Sequence, residues 1–174
     1  MKLIVVDLEC TCWKEPTHKT GEITEIGICL VDFTKNQIER QNGYYVRPVV
    51  LDISNFCTEL TGITKELLIE KGRYLDEVIN TIKKEYPLKS VPWASWGDFD
   101  RICFQNECIN KGIEYPFSKT HFNLKILHAI KEKLPKGVGM EKALEKYQMP
   151  LIGRHHSGKD DAYNTALLAL KIIG

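Results

Sequence analysis

The sequence predicts an α/β protein built around a mixed β-sheet, and three observations carry that reading. Three segments rich in β-branched residues open the chain with the spacing of an antiparallel meander. A short strand, Val91 to Ser95, returns after a stretch of amphipathic helix. The remainder is mostly helical in its periodicity, so helices must cover the sheet. At 174 residues the chain is read as a single domain, 1–174, long enough to bury a core without disulfides or metals as staples.

The elements follow in order. Residues 2–9 contain the run Leu3-Ile4-Val5-Val6, apolar on both faces, as a central strand requires. Thr11 to Gly21 is polar and contains proline, so it reads as a loop. Glu22 to Phe33 and Gln37 to Arg47 read as strands joined by the Thr34-Lys35-Asn36 turn. Ser54 is a cap for a short helix through Glu59, and Thr64 opens another. Leu75 to Tyr86 carries Val78, Ile79 and Ile82 on one face. Helices are also expected over Asp98 to Lys111, Leu124 to Lys133 and Gly139 to Tyr147. The last runs from about Lys159 to Ile173, with Ala162, Ala166, Ala169, Leu170 and Ile173 as its packed stripe.

Composition excludes several classes. The formal net charge of +1 leaves no global basic field to draw in a polyanion, so a phosphate partner must be held locally or through metal. No apolar run approaches 18 residues, and no membrane partner is expected. The six cysteines form no C-x-x-C pair and follow no secretory segment, which suits a reduced, cytoplasmic protein. Cys10-Thr11-Cys12 offers two soft ligands without a second pair, so it does not read as a zinc site. The groups Lys83-Lys84 and Lys131-Glu132-Lys133 read as solvated helix faces.

Chemistry is concentrated in acids. Asp7 and Glu9 end the first strand, and residues two apart on a strand share a face, roughly 7 Å apart. Two like charges buried together need a positive partner, and a divalent cation is the usual one. Asp98 and Asp100 stand where the short strand hands over to a helix. Asp98 is the more natural N-cap, and Asp100 falls in the first turn. In Gly153-Arg154-His155-His156-Ser157-Gly158-Lys159-Asp160-Asp161, two glycines bracket a histidine pair and two acids open the last helix. Capping alone would explain each acid singly. Their combination, with H-x-x-x-x-D before the last helix, points to a shared site.

These residues resemble a known family, the DEDDh branch of the DnaQ-like 3′–5′ exonucleases. Asp7 and Glu9 match its D-x-E motif, Asp100 its second motif, and His156 with Asp161 its H-x(4)-D motif. The likeness is nearer to the subgroup acting on histone mRNA and small RNAs, through Ser54-Asn55-Phe56-Cys57, Leu60-Thr61-Gly62-Ile63-Thr64, Ser95-Trp96-Gly97-Asp98-Phe99-Asp100 and the Gly153–Asp161 segment. It runs from Leu3 to Leu170. Relatives often carry an extra nucleic-acid-binding module before the nuclease domain. This chain opens at its first strand, so substrate choice built on such a module is not expected.

The resemblance implies an RNase H-like fold, a mixed five-stranded sheet with helices on both sides. It implies an enzyme that releases 5′-nucleoside monophosphates from single-stranded 3′ ends, RNA favoured over DNA. Asp7, Glu9, Asp100 and Asp161 would hold two divalent cations, Mg²⁺ or Mn²⁺, with Asp7 shared between them. His156 would be the general base, with His155 its rival. Cys10, Leu60, Thr61, Ile63 and Phe99, together with His156, would meet the terminal nucleotide. Ile63 reads equally well as a buried turn residue, and Phe99 as a core closure. Trp13 is a candidate for base stacking. Single-stranded DNA as substrate, a nuclease-like binding module, and a phosphatase or endonuclease built on similar acids stand as the alternatives.

Overall fold

The computed structural model describes residues 1–15 and 21–174. Residues 16–20, the middle of the loop expected from Thr11 to Gly21, lie outside the described residues. Five strands form one sheet: β1 (Lys2–Cys10), β2 (Ile23–Asp32), β3 (Gln37–Tyr45), β4 (Trp93–Ser95) and β5 (His121–Asn123). Their order is β3-β2-β1-β4-β5. The meander β1-β2-β3 is antiparallel, whereas β4 and β5 run parallel to β1. The sheet is therefore mixed, with β1 at its centre.

Seven helices cover it among the described residues: α1 (Asn55–Thr61), α2 (Lys65–Lys71), α3 (Leu75–Glu85), α4 (Phe99–Asn110), α5 (Leu124–Lys131), α6 (Met140–Lys146) and α7 (Gly158–Ile173). The alternation of β1 sorts them into two layers. Ile4, Val6 and Leu8 face α3 and α4, packing with Val78, Ile79, Ile82 and Phe104. Leu3 and Val5 face the other way, onto Leu124 of α5 and Ala162, Ala166 and Ala169 of α7. The alanine stripe lets α7 lie close on the sheet. α6 packs outside α7 through Ala143, Leu144 and Leu168. No helix among the described residues is long and apolar enough to cross a membrane.

The short helices start where the side chains dictate. Ser54 accepts from Cys57 N at 3.0 Å, and Thr64 accepts from Leu67 N at 3.1 Å. Three expectations need correction. The residue reading found no strand at His121–Asn123, because three residues are too short to show an alternation. The third strand stops at Tyr45, and Val46 instead makes a parallel bridge to Arg73. Asp98 holds the N-cap position of α4, but its carboxylate does not cap. It accepts from Arg101 Nη2 at 3.0 Å and Asn123 Nδ2 at 2.8 Å. Lys131 is exposed on α5, as a solvated helix face requires, and also donates to Ile172 O at 3.1 Å.

Candidate active site

The face of β1 that carries Leu3 and Val5 continues into Asp7 and Glu9, so both acids point toward the α7 layer. What lies across from them decides the site. Asp7 pairs with Gly27 on β2, and Glu9 pairs with Glu25. A Cβ at Gly27 would fall 1.8 Å from Gly158 O, so the first turn of α7 rests directly on the β2 backbone. Gly27 pairs in turn with Gly43 on β3, where a Cβ would come 2.7 Å from Lys159 Cβ. This two-glycine track seats the start of α7 against the sheet.

The helix is then fixed from below. Ser157, at its N-cap, makes no side-chain cap bond. Glu25 replaces it by accepting from Gly158 N at 2.9 Å and Lys159 N at 3.2 Å. With α7 so placed, Asp161 reaches the β1 acids. Carboxylate oxygens of Asp7, Glu9 and Asp161 all lie within 4.8 Å of one another.

Asp100 arrives from the opposite side. β4 pairs with β1 only at Ile4 and Val5, so the far half of β1 has no strand on that edge. The exposed Leu8 N–H is satisfied by Asp100 Oδ1 at 3.0 Å, in a buried bond. Gly97, at φ +118, makes the turn that delivers Asp100, and a side chain would strain it. Buried Ser95 supports the turn, its hydroxyl donating to Gly97 O at 2.9 Å while also meeting His121 Nε2 at 2.9 Å.

Four converging acids repel. Burial, then the charges of Asp100, Asp161 and Glu9, raises the Asp7 carboxyl well above its ordinary range. Burial, reinforced by Asp161 and Glu25, pushes Glu9 up to about 8. Burial lifts Asp100 to about 6. Asp161 and Glu25 are raised by burial too, although each accepts backbone N–H bonds that oppose the shift. Among the described residues no lysine or arginine forms an ion pair with Asp7, Glu9 or Asp100. An all-oxygen, anionic, unneutralised cluster fits hard divalent cations.

The shifts have a measurable effect on stability. Unfolded carboxyls titrate at about 4. In the folded chain these acids hold their protons more tightly, so without cations they favour folding only while protonated. That contribution is lost as pH rises through about 6 for Asp100 and about 8 for Glu9. With chelator present, Tm should fall between pH 5 and 8.5. The increment on adding a divalent cation should grow over the same interval. Calorimetry across that range tests both, and a cation increment that shrinks toward pH 8.5 would contradict the reading.

The histidine pair sits at the edge of the cluster. His156 lies at φ +62, and its N–H donates to Asp161 Oδ2 at 2.9 Å. His155 Nδ1 lies 3.0 Å from the same oxygen. The two rings stack with centroids 4.0 Å apart. Burial and the neighbouring His155 lower the His156 pKa, which favours its neutral form. Asp160 does not join the acids. Its carboxylate accepts from Arg154 N at 2.9 Å and fills the space beside Gly153.

A cavity of about 730 Å³ opens beside Glu9. Cys10, Trp13, Leu60, Phe99 and Ile102 line it, with Asn106 further along α4. Phe99 is 64% exposed, so it does not close the core. Thr61 and Ile63 do not line the cavity. The Thr61 hydroxyl is engaged with Cys57 O and Ile63 N, and Ile63 is 2% exposed inside the protein. Cys10 Sγ lies 3.3 Å from Cys103 Sγ at the cavity wall.

Three residues that shape the site carry no role in the sequence reading. Glu25 is an acid inside an otherwise apolar strand, a signal visible in ITEIGICL. Gly27 becomes meaningful only once its partner across the sheet is known. Arg154 donates to the carbonyls of Glu59 and Leu60 at 3.0 and 3.2 Å, and so ties the end of α1 to the histidine turn.

Comparison with known proteins gives the family of the chain. Residues 4–169 match the RNase_T exonuclease family model. The chain is 33% identical to ERI1 exoribonuclease 2 of Mus musculus over 196 aligned positions, covering 98% of this chain and 28% of that protein. It thus spans little more than a quarter of that relative's length. It is 30% identical to the 3′-5′ exonuclease Snipper of Drosophila melanogaster, covering 98% of this chain and 69% of Snipper. The nuclease domain of 3′hExo, a DEDDh family member solved with rAMP, superimposes with a TM-score of 0.88 at 29% identity, covering 99% of this chain and 91% of that one. The fold is RNase H-like. The chain belongs to the DEDDh, RNase T-like family of 3′–5′ exonucleases. That family is typically metal-dependent.

Proposed function

We propose that this chain is a 3′–5′ exoribonuclease that removes 5′-nucleoside monophosphates one at a time from single-stranded RNA ends. The observation that carries the proposal is the meeting of Asp7, Glu9 and Asp161 within 4.8 Å, beside a large apolar cavity. Two hard cations, Mg²⁺ or Mn²⁺, held by Asp7, Glu9, Asp100 and Asp161, would activate the attacking water and stabilise the leaving oxygen when bound. Asp7, at the centre of the sheet, is suited to serve both ions. Asp161 is oriented by the His156 N–H, and Asp100 by the Leu8 N–H.

His156 is the proton acceptor in this scheme. Its lowered pKa keeps the imidazole free to take a proton from water at neutral pH. As the water oxygen bonds to phosphorus, the bond to the 3′ oxygen of the preceding nucleotide breaks. Trp13, Leu60 and Phe99 offer surfaces on which the terminal base would stack or pack. Cys10 bounds the cavity next to Glu9, where the terminal sugar would lie. Attack from an end rather than within a strand would follow if this cavity received the terminal nucleotide beside the carboxylates. The exoribonuclease relatives and the rAMP complex of 3′hExo favour RNA over DNA.

Digestion of matched, 5′-labelled RNA and DNA oligomers tests the proposal. A ladder shortening by one nucleotide, faster on RNA and abolished by chelator, is the expected result. A 3′-phosphate should block it. Internal fragments, or equal digestion of blocked ends, would refute it. His156→Ala should lower kcat by about 10²–10⁴-fold with little change in KM. An equal loss in His155→Ala would instead move the base to the neighbouring ring.

A further inference from the structure

The carboxylate cluster has a neighbour of different chemistry. Ligand atoms of His155, His156 and Asp161 also lie within 4.8 Å of one another, and this group is two imidazoles and one carboxylate rather than oxygens alone. Imidazole suits zinc, copper and nickel, whereas carboxylate clusters suit magnesium and manganese. Two histidines and one acid, with a fourth position open to water, form a complete zinc ligand set.

The geometry is close to what such an ion needs. Tetrahedral ligands at roughly 2.0–2.1 Å from zinc stand roughly 3.4 Å apart. His155 Nδ1 lies 3.0 and 3.3 Å from the two Asp161 oxygens. An ion entering there would displace the proton that now bridges them. The His156 ring is stacked at 25° on that of His155 with a ring nitrogen already within 4.8 Å of the other ligand atoms, so binding would require the His156 side chain to turn out of the stack and aim that nitrogen at the ion. Both rings are partly exposed, and a cavity of about 420 Å³ at the start of α6 reaches His155 from solvent. Glu141 on α6 adds negative charge facing His156. Of the positive groups nearby, the Arg154 guanidinium is engaged on the carbonyls of Glu59 and Leu60, while Lys136 and Lys142 line the cavity that leads to His155.

We propose that His155, His156 and Asp161 form a second cation site, selective for zinc-like ions, that shares Asp161 with the carboxylate cluster so that filling one site disables the other. Zinc bound there removes an acid from the hard-ion cluster and ties up the imidazole nearest to it. The consequence for catalysis rests on the function proposed above, but the binding itself does not.

Calorimetric titration of ZnCl₂ into the chelator-stripped full chain, repeated with Mg²⁺ present as the competitor for Asp161, separates the two. The wild-type chain should bind zinc with micromolar affinity or better. His155→Ala and the milder His155→Gln should each weaken that event at least tenfold. Asp7→Asn, which breaks the carboxylate cluster alone, should retain it. Zinc should also slow Mn²⁺-supported digestion, with relief by added Mn²⁺. Zinc affinity that ignores both His155 changes would place the ion elsewhere, for instance on the Cys10–Cys103 thiols, and would overturn the site. Loss of the event in Asp7→Asn would place zinc among the carboxylates and overturn it equally. Zinc binding as described in a chain that digests neither RNA nor DNA would leave the site standing and sink the proposed function instead.

Discussion

Asp7→Asn should abolish digestion and, with chelator present, make the protein more stable. The two effects have opposite signs because they come from one cause. Asp7 sits where the charges of Asp100, Asp161 and Glu9 all bear on it, on a face already withdrawn from water. An amide of the same shape keeps the packing but removes one member of a mutually repelling set. At pH 8 without cations, Tm should therefore rise by a few degrees. The same change removes the ligand suited to bridge two ions, and turnover should fall by about 10³-fold or more. The stabilisation that a divalent cation gives the wild-type chain should shrink in parallel. Melting curves with and without Mn²⁺, beside an oligonucleotide assay, read all three quantities. Destabilisation with chelator at pH 8 would mean that Asp7 is held by a partner the repulsion argument omits.

Gly27→Ala should be nearly as damaging, although glycine has no functional group. One methyl at this position would overlap Gly158 O, and the close neighbour is backbone, which cannot rotate away. The first turn of α7 must lift off the sheet. It carries Asp161 with it, and it breaks the bonds from Gly158 N and Lys159 N to Glu25. Overpacking of this kind costs about 1–3 kcal/mol. A displacement of about 1 Å at a reacting centre can lower turnover about 10²-fold. The variant should keep its helical circular dichroism, melt several degrees lower and lose most cation-dependent stabilisation. Wild-type activity would show that α7 is not seated by this contact. Gly139→Ala, where a Cβ meets nothing and φ is −62, serves as the control for lost backbone freedom.

Much of this was legible in the chain itself, for identifiable reasons. β1 could be read because a four-residue apolar run closing on two alternate acids has the pattern of a buried strand with a charged tip. α7 could be read because its alanines recur at helical spacing. Asp100, His156 and Asp161 stand out only through spacing and family likeness, since each alone passes for a cap or a loop residue. The fifth strand escaped because its three residues carry too little pattern. Gly27 and Glu25 escaped for a deeper reason. Their importance is a property of register: each matters because of what lies opposite, and no local window of sequence contains both partners. Thr61 and Ile63 show the converse. Leu60 of the same segment lines the cavity, whereas whether a neighbouring side chain faces it or the interior depends on how α1 packs.

Arg154 joins two parts of the protein that come from distant stretches of the chain. By gripping the carbonyls at the end of α1, it makes Leu60, a wall of the cavity, and the turn bearing the histidines into a single mechanical piece. Widening the pocket by shifting α1 would drag the imidazoles along. Under the proposed function, recognition of a nucleotide and readiness to cleave it would therefore be geared together through one guanidinium.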